Sequence, residues 1–548
     1  MAVETISSRR AAAASRHPGL VSAGLTARRA MRGALVWGAV FGLSAWVEVS
    51  QFANQYPTAA DRTRLVETMG SSVGLQAIFG PSPMIDTPGG YMAAHAVGVF
   101  GVIIGAVWGL LAATRLLRGE EDAGRWEVLL TGPVTRLRAT AGAVAGLGIA
   151  LLMLWAVTAA AYVAIGTSPD ARFAVSAGLF AATATVAPAA VFLAVGALCS
   201  QLAATRRQAA AMAAAVFGIA YLIRVVAYSS STLHWLRWAS PLGWVDELRA
   251  LTGSRPLLLI PIAVTIAVAA ALTIILAGRR DLRASVLAAH DTAAARTRLL
   301  NSPLGLACRL GRPAVLGWSA ALAAGGFIVG LATKGTGQIW ANQTGGVFAR
   351  LTGTTGGAIY LGMIFLLFAA LIAMAAGGQV AATREEEAEG RLDHLLARPV
   401  TRLSWLAARP AVSAAALATA GIIAGLFTWA GATATGANLS LATLLAAGLN
   451  LVPAGIFVLG IGTLVHGLAP RFAVAAAYGL VAWSFLLEIV GASLGLSHWL
   501  LDTSILHHVA RAPAAPVQWD MAAILTAIGI AAAITGALAF TRRDLKGA

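Results

Sequence analysis

Residues 91–113 read YMAAHAVGVFGVIIGAVWGLLAA, an apolar run without Asp, Glu, Lys or Arg. A helix of about 20 residues crosses the hydrocarbon core of a bilayer, which is about 30 Å thick. Because the run is uniformly apolar rather than alternating, it predicts a membrane-spanning helix and not a barrel strand. Across all 548 residues only 11% are charged, against roughly 25% in soluble proteins. The chain is therefore predicted to be an all-α polytopic membrane protein.

Similar apolar runs recur along the chain and predict about twelve transmembrane helices. Six lie in a first half, residues 33–278, and six in a second half, residues 313–541. Residues 279–312 between them are more polar and are expected to form a cytosolic linker. Residues 1–32 are expected to be a basic cytosolic segment, because the run after them has spanning length and no small-residue cleavage site. Residues 542–548 are expected to be a cytosolic tail.

The basic residues predict the orientation, because Arg and Lys gather in the cytoplasmic loops of membrane proteins. Most of the 39 Lys and Arg residues fall on the inner side if the N-terminus is cytoplasmic. The net charge of +16 is then explained without a nucleic-acid partner. We expect a multi-pass protein of the plasma membrane, surrounded by lipid, with both termini in the cytoplasm. Cys199 and Cys308 then lie on the cytoplasmic side, where no disulfide is expected.

Four short motifs occur twice and in the same order, which indicates an internal duplication. The matched stretches are Arg28, Leu35 and Trp37 with Arg309, Leu316 and Trp318; residues 124–137 with 390–403; His234-Trp235-Leu236 with His498-Trp499-Leu500; and Arg279-Arg280-Asp281-Leu282 with Arg542-Arg543-Asp544-Leu545. Each motif keeps the same place relative to the predicted spans. The two halves are therefore predicted to be parallel six-helix repeats.

An unusual polar segment follows the second span of each half. Residues 118–133 read RGEEDAGRWEVLLTGP and residues 384–399 read REEEAEGRLDHLLARP; we call them the docking segments. Leading acidic residues suit a helix N-terminus, and a proline suits its end. Glu121 and Arg125 are four residues apart, as are their counterparts, which predicts a helical turn closed by an ion pair. An apolar stripe beside these charges predicts that the helix docks on a partner protein. The alternative is that the helix lies on lipid headgroups or on the ends of neighbouring helices.

The docking segments resemble the coupling helix of ABC-2 type exporter permeases. The resemblance rests on four features between spans two and three: an acidic pair, Gly-Arg, Leu-Leu and Pro-Val-Thr-Arg. The Arg-Arg-Asp-Leu motif after span six and the Ser240–Trp244 stretch also resemble that family. A fused, duplicated permease of this length most resembles the actinobacterial tetronasin-resistance type of multidrug exporter.

The resemblance implies that a separate ATPase subunit carrying ATP-Mg docks on each segment, so that two copies serve one chain. It also implies export of drug-like, ionophore or amphiphilic small molecules. The ATPase-coupling residues that it implies are Glu120, Glu121, Gly124, Arg125, Trp126, Leu129, Leu130, Pro133, Glu386, Glu387, Gly390, Arg391, Leu395, Leu396 and Pro399.

No Gly-x-x-x-x-Gly-Lys-Ser/Thr loop occurs in the sequence, so ATP is expected only on a partner. No catalytic or metal-binding constellation is predicted either. The alternative function is a proton-coupled transporter of the major facilitator type, which also has twelve spans in two parallel repeats. Residues 119–125 approximate the loop motif of that class loosely, through Asp122, Gly124 and Arg125, but the twin segment lacks the Asp.

Three ionisable residues in the predicted spans are candidates for a central cavity or gate: Glu48, Arg224 and Glu488. Charges inside a membrane are costly and indicate function by default. For Glu48, near the outer end of the first span, the alternative is a solvated carboxylate. Arg224 and Glu488 occupy equivalent positions, at the offset that relates His234 to His498. They are expected either to face each other across a central cavity or to have separate polar partners.

Overall fold

The computed structural model describes residues 18–71, 80, 82–229, 232–281, 286, 299–343, 356–494 and 497–544. Within these ranges the regular elements are all helical. The chain divides into two compact units, Met1–Thr292 and Ala293–Ala548. The division falls inside the linker predicted at 279–312.

Among the described residues, twelve helices are long and apolar enough to cross a membrane, as predicted. In the first half, spans 1–6 are Gly19–Gln55, Pro88–Asp122, Arg136–Gly166, Val175–Leu202, Arg206–Tyr228 and Pro256–Arg279. In the second half, spans 7–12 are Pro303–Lys334, Gly356–Ala388, Arg402–Ala434, Leu441–Leu468, Pro470–Glu488 and Trp519–Arg542. Short helices between spans are Ala59–Ser71, Arg125–Leu130, His234–Ala239, Pro241–Glu247, Arg391–Leu396, His498–Leu501 and Leu506–His508.

The first span of each half begins earlier than its apolar run. The helix of span 1 begins at Pro18 and that of span 7 at Pro303, ahead of the predicted starts at 33 and 313. Arginines such as Arg28 and Arg309 therefore lie within these helices and not in separate segments. Ala and Arg are strong helix formers, so the helix continues beyond the part that suits lipid.

The fourth span is the centre of each half. In the first half, span 4 packs against spans 2, 3, 5 and 6; in the second, span 10 packs against spans 8, 9, 11 and 12. Small residues permit close approach: a Cβ added at Gly109 would clash with the carbonyl oxygen of Ala189, and one at Gly460 would clash with the backbone of Gly529. Helices in membranes associate through such small-residue interfaces.

Each half has two distinct ends. One end, which we call the terminal end, holds the first and last residues of the spans of that half. In the first half it contains residue 18, the docking segment 118–133 and the end of span 6 at Arg279. The opposite end contains the connection between spans 5 and 6, with the helix Pro241–Glu247. The second half has the same order of elements, with its docking segment 384–399 at its own terminal end.

Candidate docking sites and membrane-embedded charges

A left-handed glycine interrupts the helical path of each docking segment. In the first half, helix Arg118–Asp122 ends before Gly124, whose φ is +72°, and helix Arg125–Leu130 follows. In the second half Gly390, with φ +70°, precedes helix Arg391–Leu396. Glycine adopts this conformation without steric cost. The prediction of one continuous helix through each docking segment is therefore wrong.

This break changes the ion pairs that the sequence predicts. The predicted pairing of Glu121 with Arg125 requires an uninterrupted helix; instead Nε and Nη2 of Arg125 donate to Glu120 at 2.6 and 2.7 Å. These hydrogen bonds raise the pKa of the Arg125 guanidinium. In the second half Arg391 contacts Glu389, with 2.7 Å between Nη1 and Oε2.

Glu121 lies in a buried network that joins the docking segment to the end of span 6. Arg280 donates from Nη1 and Nη2 to the two carboxylate oxygens of Glu121, at 2.7 and 2.5 Å. Its Nε donates to Oε1 of Gln201, near the end of span 4, at 2.8 Å. Arg118 donates to the same carboxylate at 3.2 Å, and Arg136 donates to the carbonyl oxygen of Arg280. Glu121, Gln201 and Arg118 are buried.

The second half repeats this network with other residues around it. Arg543, after span 12, donates to both oxygens of Glu387 at 2.7 Å each. His466, near the end of span 10, has Nε2 3.2 Å from Glu387. Arg402 donates to the carbonyl oxygen of Arg543 at 2.7 Å. Both docking segments are thus attached to the last span of their own half by a bidentate arginine–carboxylate pair, the strongest geometry for such a contact.

The other glutamate of each predicted acidic pair, Glu120 or Glu386, also has an arginine partner within its half. Glu120 contacts Arg29 of span 1 as well as Arg125. Glu386 contacts Arg409 of span 9. The predicted acidic pairs therefore attach the docking segments to their own halves.

The apolar stripe packs inward, against the half that carries it. Trp126 packs on the cluster that includes Trp108 and Leu116. Leu392 is 1% exposed and packs with Trp405 and Phe540. The predicted coupling leucines, which are half-buried, are Leu129, Leu130, Leu395 and Leu396.

The outward faces of the docking helices carry other residues. In the first half Val128 is 75% exposed, between exposed Glu127 and half-buried Leu129. In the second half Asp393 and His394 are exposed at the matching positions. These outward residues were not predicted from the sequence, because the leucine stripe was expected to face outward.

Polar turns complete both docking segments. Pro133 and Pro399 lie in the turns that follow the docking helices. The next helix begins with a threonine cap: the side chain of Thr135 accepts from the N–H of Arg138, and that of Thr401 from the N–H of Ser404. Such caps satisfy the free N–H groups of a helix start.

Arg224 and Glu488 each have a partner within their own half, which was the second of the two sequence-based alternatives. Arg224 is fully buried and donates from Nε and Nη2 to the carboxylate of Asp246, at 2.6 and 3.1 Å. Glu488 lies 3.5 Å from His507 and 3.5 Å from Arg511. A pairing of Arg224 with Glu488 is therefore not required to neutralise either charge.

These two ion pairs have reversed polarity at matching places. In the first half the cation is on the fifth span and the anion on the connection to the sixth; in the second half the order is inverted. Nearby, Ser240 donates to the carbonyl oxygen of Ala220 at 2.8 Å, and Ser504 donates to that of Ser484 at 3.3 Å. The same connection is thus attached to the fifth span in both repeats.

Glu48 is 8% exposed, so the alternative of a solvated carboxylate is wrong. Its Oε2 has no hydrogen-bond partner and lies 3.9 Å from Nδ1 of His95 in span 2. His95 belongs to the π-helical stretch Ala93–Gly105 of that span.

Among the described residues, no group of three or more His, Cys, Asp or Glu side chains is placed to hold a metal ion.

In comparisons with known proteins, each half of the chain matches a protein family. Residues 25–278 match the family described as ABC-2 family transporter protein. Residues 300–541 match the C-terminal domain of the multidrug efflux system permease Rv1217c. The chain is 29% identical over 514 residues to the multidrug efflux system permease protein Rv1217c of Mycobacterium tuberculosis, covering 92% of this chain and 90% of that protein. These matches give no support to the major facilitator alternative. With twelve spans in two repeats, the chain belongs to the ABC-2 type exporter permeases.

Proposed function

We propose that this chain is the permease subunit of an ATP-driven exporter of drug-like, amphiphilic molecules, and that a separate ATPase docks on each of its two docking segments. The carrying observation is the bidentate pair between a docking segment and the last span of the same half, Glu121–Arg280 and Glu387–Arg543. A movement of the docking helix is transmitted by this contact to the end of the transmembrane bundle.

The exposed charges of the two docking helices support two copies of one ATPase. Arg125 and Arg391 are both exposed at the first position of their helices, and Glu127 and Asp393 are exposed two residues later. One type of groove, with an acidic and a basic side chain at matching distances, can therefore accept both helices. Val128 and His394 differ at the next position, so the two contacts are not chemically identical.

ATP belongs to the partner in this proposal. The sequence has no phosphate-binding loop, so ATP is expected to bind the partner, while this chain contributes helices and ion pairs. The proposal places the terminal ends of both halves, and with them both termini, in the cytoplasm of a plasma-membrane protein. The excess of Arg at these ends supports that orientation.

The cargo class follows from the relative and from the composition. The relative from Mycobacterium tuberculosis is a multidrug efflux permease by its name. The spans of this chain consist largely of Ala, Gly, Val and Leu. Such a bundle suits molecules that partition into lipid. Export of amphiphilic drugs is therefore the activity we propose.

The test is reconstitution of the chain in proteoliposomes together with the ABC ATPase that co-purifies with it. We expect accumulation of a fluorescent amphiphilic drug that requires hydrolysable ATP and is lost when the phosphate-binding lysine of the ATPase is replaced by Ala. A complex of wild-type chain with that ATPase variant controls for assembly. Transport by the chain alone, driven by a proton gradient and unaffected by ATP, would refute the proposal.

A further inference from the structure

The two contacts that attach the docking segments to the last spans differ in their surroundings. We call each contact a joint: the first joint is Glu121–Arg280 and the second is Glu387–Arg543. In the first joint every nitrogen of the Arg280 guanidinium has an acceptor. Nη1 and Nη2 donate to Glu121, and Nε donates to Oε1 of Gln201 at 2.8 Å. The carboxylate therefore holds the end of this guanidinium, and the amide holds its side.

The second joint has a histidine where the first has this amide. His466, like Gln201, lies in the last turn of the fourth span of its half. Its Nε2 is 3.2 Å from Glu387 but is not aligned as a hydrogen bond: both ring nitrogens of His466, and Nε of Arg543, are buried without a hydrogen-bond partner. A buried donor without an acceptor is costly. Hydrogen bonds therefore hold Arg543 through its Nη atoms alone, including one from Nη2 to the backbone carbonyl oxygen of His466 at 3.3 Å.

An aromatic ring also distinguishes the second joint. Phe540 precedes Arg543 by the same three positions by which Ala277 precedes the arginine of the first joint. The guanidinium carbon of Arg543 lies 4.9 Å from the centroid of the Phe540 ring, and the His466 ring stacks on the same ring at 5.8 Å. A cation is attracted to the broad face of an aromatic ring, whereas a hydrogen bond weakens steeply when its angle changes. Arg543 can therefore slide along Phe540, a movement that Gln201 opposes in the first joint.

We propose that the first joint is rigid and the second yields, so that docking segment 384–399 separates from span 12 more readily than segment 118–133 separates from span 6. Gln201 and His466 are the positioning residues that set this difference, and they act through the arginine beside them. The consequence for transport rests on the proposed export function. A movement of the ATPase on segment 118–133 reaches the bundle in full, and part of a movement of the ATPase on segment 384–399 is lost in the joint.

The test measures hydrogen–deuterium exchange of the purified full chain in a maltoside detergent, without any ATPase. After correction for the intrinsic exchange rates of the peptides, we expect segment 384–399 to exchange at least about tenfold faster than segment 118–133. His466→Gln supplies an acceptor for Nε of Arg543. It should slow the exchange of segment 384–399 about tenfold, the effect of one hydrogen bond to a charged group. Gln201→His should accelerate the exchange of segment 118–133 by a similar factor.

His466→Ala separates positioning from packing, because it removes the ring and supplies no acceptor. Segment 384–399 should then exchange as fast as in the unmodified chain, or faster. His498→Gln is the matched control, since it makes the same change at an exposed histidine at the opposite end of the second half, and it should alter neither segment. If Gln201→His does not fold, the two His466 variants still decide. Equal exchange of the two segments in the unmodified chain, or equal effects of His466→Gln and His466→Ala, would overturn the proposal.

Proteoliposomes that contain the chain and its ATPase test the consequence for transport. His466→Gln should raise the amount of drug exported per ATP hydrolysed about twofold, and His498→Gln should leave this ratio unchanged. The same ratio in the His466→Gln complex as in the unmodified complex would refute unequal transmission. A complex that does not transport at all would refute the proposed export function instead, and the exchange measurement, which contains no ATPase, tests the joints independently of that outcome.

Discussion

Arg280 and Arg543 each place a guanidinium against a buried glutamate where the docking segment meets the last span of its half. Removing one partner of a buried ion pair leaves the other unsatisfied, at a cost of about 3–5 kcal/mol. We predict that Arg280→Gln or Arg543→Gln reduces drug-stimulated ATP turnover of the assembled complex by about tenfold, while the ATPase still co-purifies.

The neighbouring arginines provide the control. Arg279 and Arg542 belong to the same repeated motif but are exposed, so Arg279→Gln and Arg542→Gln should leave turnover within about twofold of the unmodified complex. If the neighbouring variants are as damaging as Arg280→Gln, the effect is general loss of positive charge and the transmission role is refuted.

The reversed ion pairs permit a charge-swap experiment. Arg224→Glu and Asp246→Arg each leave like charges together in a buried site, so each single variant should lower the melting temperature and the yield of folded protein. The double variant Arg224→Glu/Asp246→Arg reproduces the polarity of Glu488 and Arg511 in the second half. We predict that it recovers at least half of the lost stability, measured by thermal unfolding in detergent.

A double variant that is no more stable than the worse single variant would show that the polarity of this contact is fixed by its surroundings, such as the carbonyl oxygen of Gly98, 3.3 Å from Arg224.

The sequence revealed the equivalence of Arg224 and Glu488 through the repeat offset. It did not reveal their partners, because the connections from span 5 to span 6 and from span 11 to span 12 share the His-Trp-Leu motif and one serine, and differ in sequence after that serine, where Asp246 and Arg511 lie.

At the scale of elements, the left-handed glycines Gly124 and Gly390 turn the backbone just before each docking helix and so set the direction in which that helix runs. A Cβ at Gly390 would meet only Asp393, at 3.9 Å, so substitution there changes backbone strain and little else. The left-handed conformation costs about 1–2 kcal/mol for a residue with a Cβ. We predict that Gly390→Ala lowers the melting temperature by a few degrees, and that Gly390→Pro, whose ring excludes positive φ, prevents docking of the ATPase.

Gly132→Ala is the control for this prediction. Gly132 lies in the first docking segment without a positive φ, and an added Cβ there meets the carbonyl oxygen of Leu129 at an ordinary 3.6 Å. Its melting temperature should remain within about one degree of the unmodified chain. A Gly390→Ala variant as stable as Gly132→Ala would mean that the break is not needed.

The elements show where sequence reasoning succeeds. Uniform apolar runs fix the spans because lipid accepts little else. The break at Gly124 was not visible, because acidic residues followed by Arg and Leu-Leu also fit one continuous helix, and only the backbone angle distinguishes the two. The inward packing of Trp126 and Leu392 was likewise hidden, since an apolar stripe does not state which surface covers it.

At the scale of the whole molecule, the duplication predicts the composition of the complex. One chain carries both docking segments, so the intact assembly should contain one permease chain of 55.8 kDa and two ATPase copies. Native mass spectrometry of the detergent-solubilised complex measures this ratio. A stable, ATP-hydrolysing complex with a single ATPase copy would contradict it.

The repeat was the most productive whole-molecule signal in the sequence. The motifs around residues 124–137 and 390–403 predicted docking segments in both halves, and the Arg-Arg-Asp-Leu motifs contain Arg280 and Arg543, which contact those segments. What repetition alone did not provide was the connection between the two motifs, because contacts between residues about 150 positions apart depend on the packing of six helices.

The most direct test of the central claim is ATP-driven transport by the complete complex when the outward face of a docking helix is changed. Val128→Asp alters a side chain that is 75% exposed, and Val175→Asp alters one that is 53% exposed at the opposite end of the same half. The account predicts that Val128→Asp lowers transport at least about tenfold and weakens ATPase co-purification, while Val175→Asp does neither. Unchanged transport and unchanged assembly in Val128→Asp would contradict it.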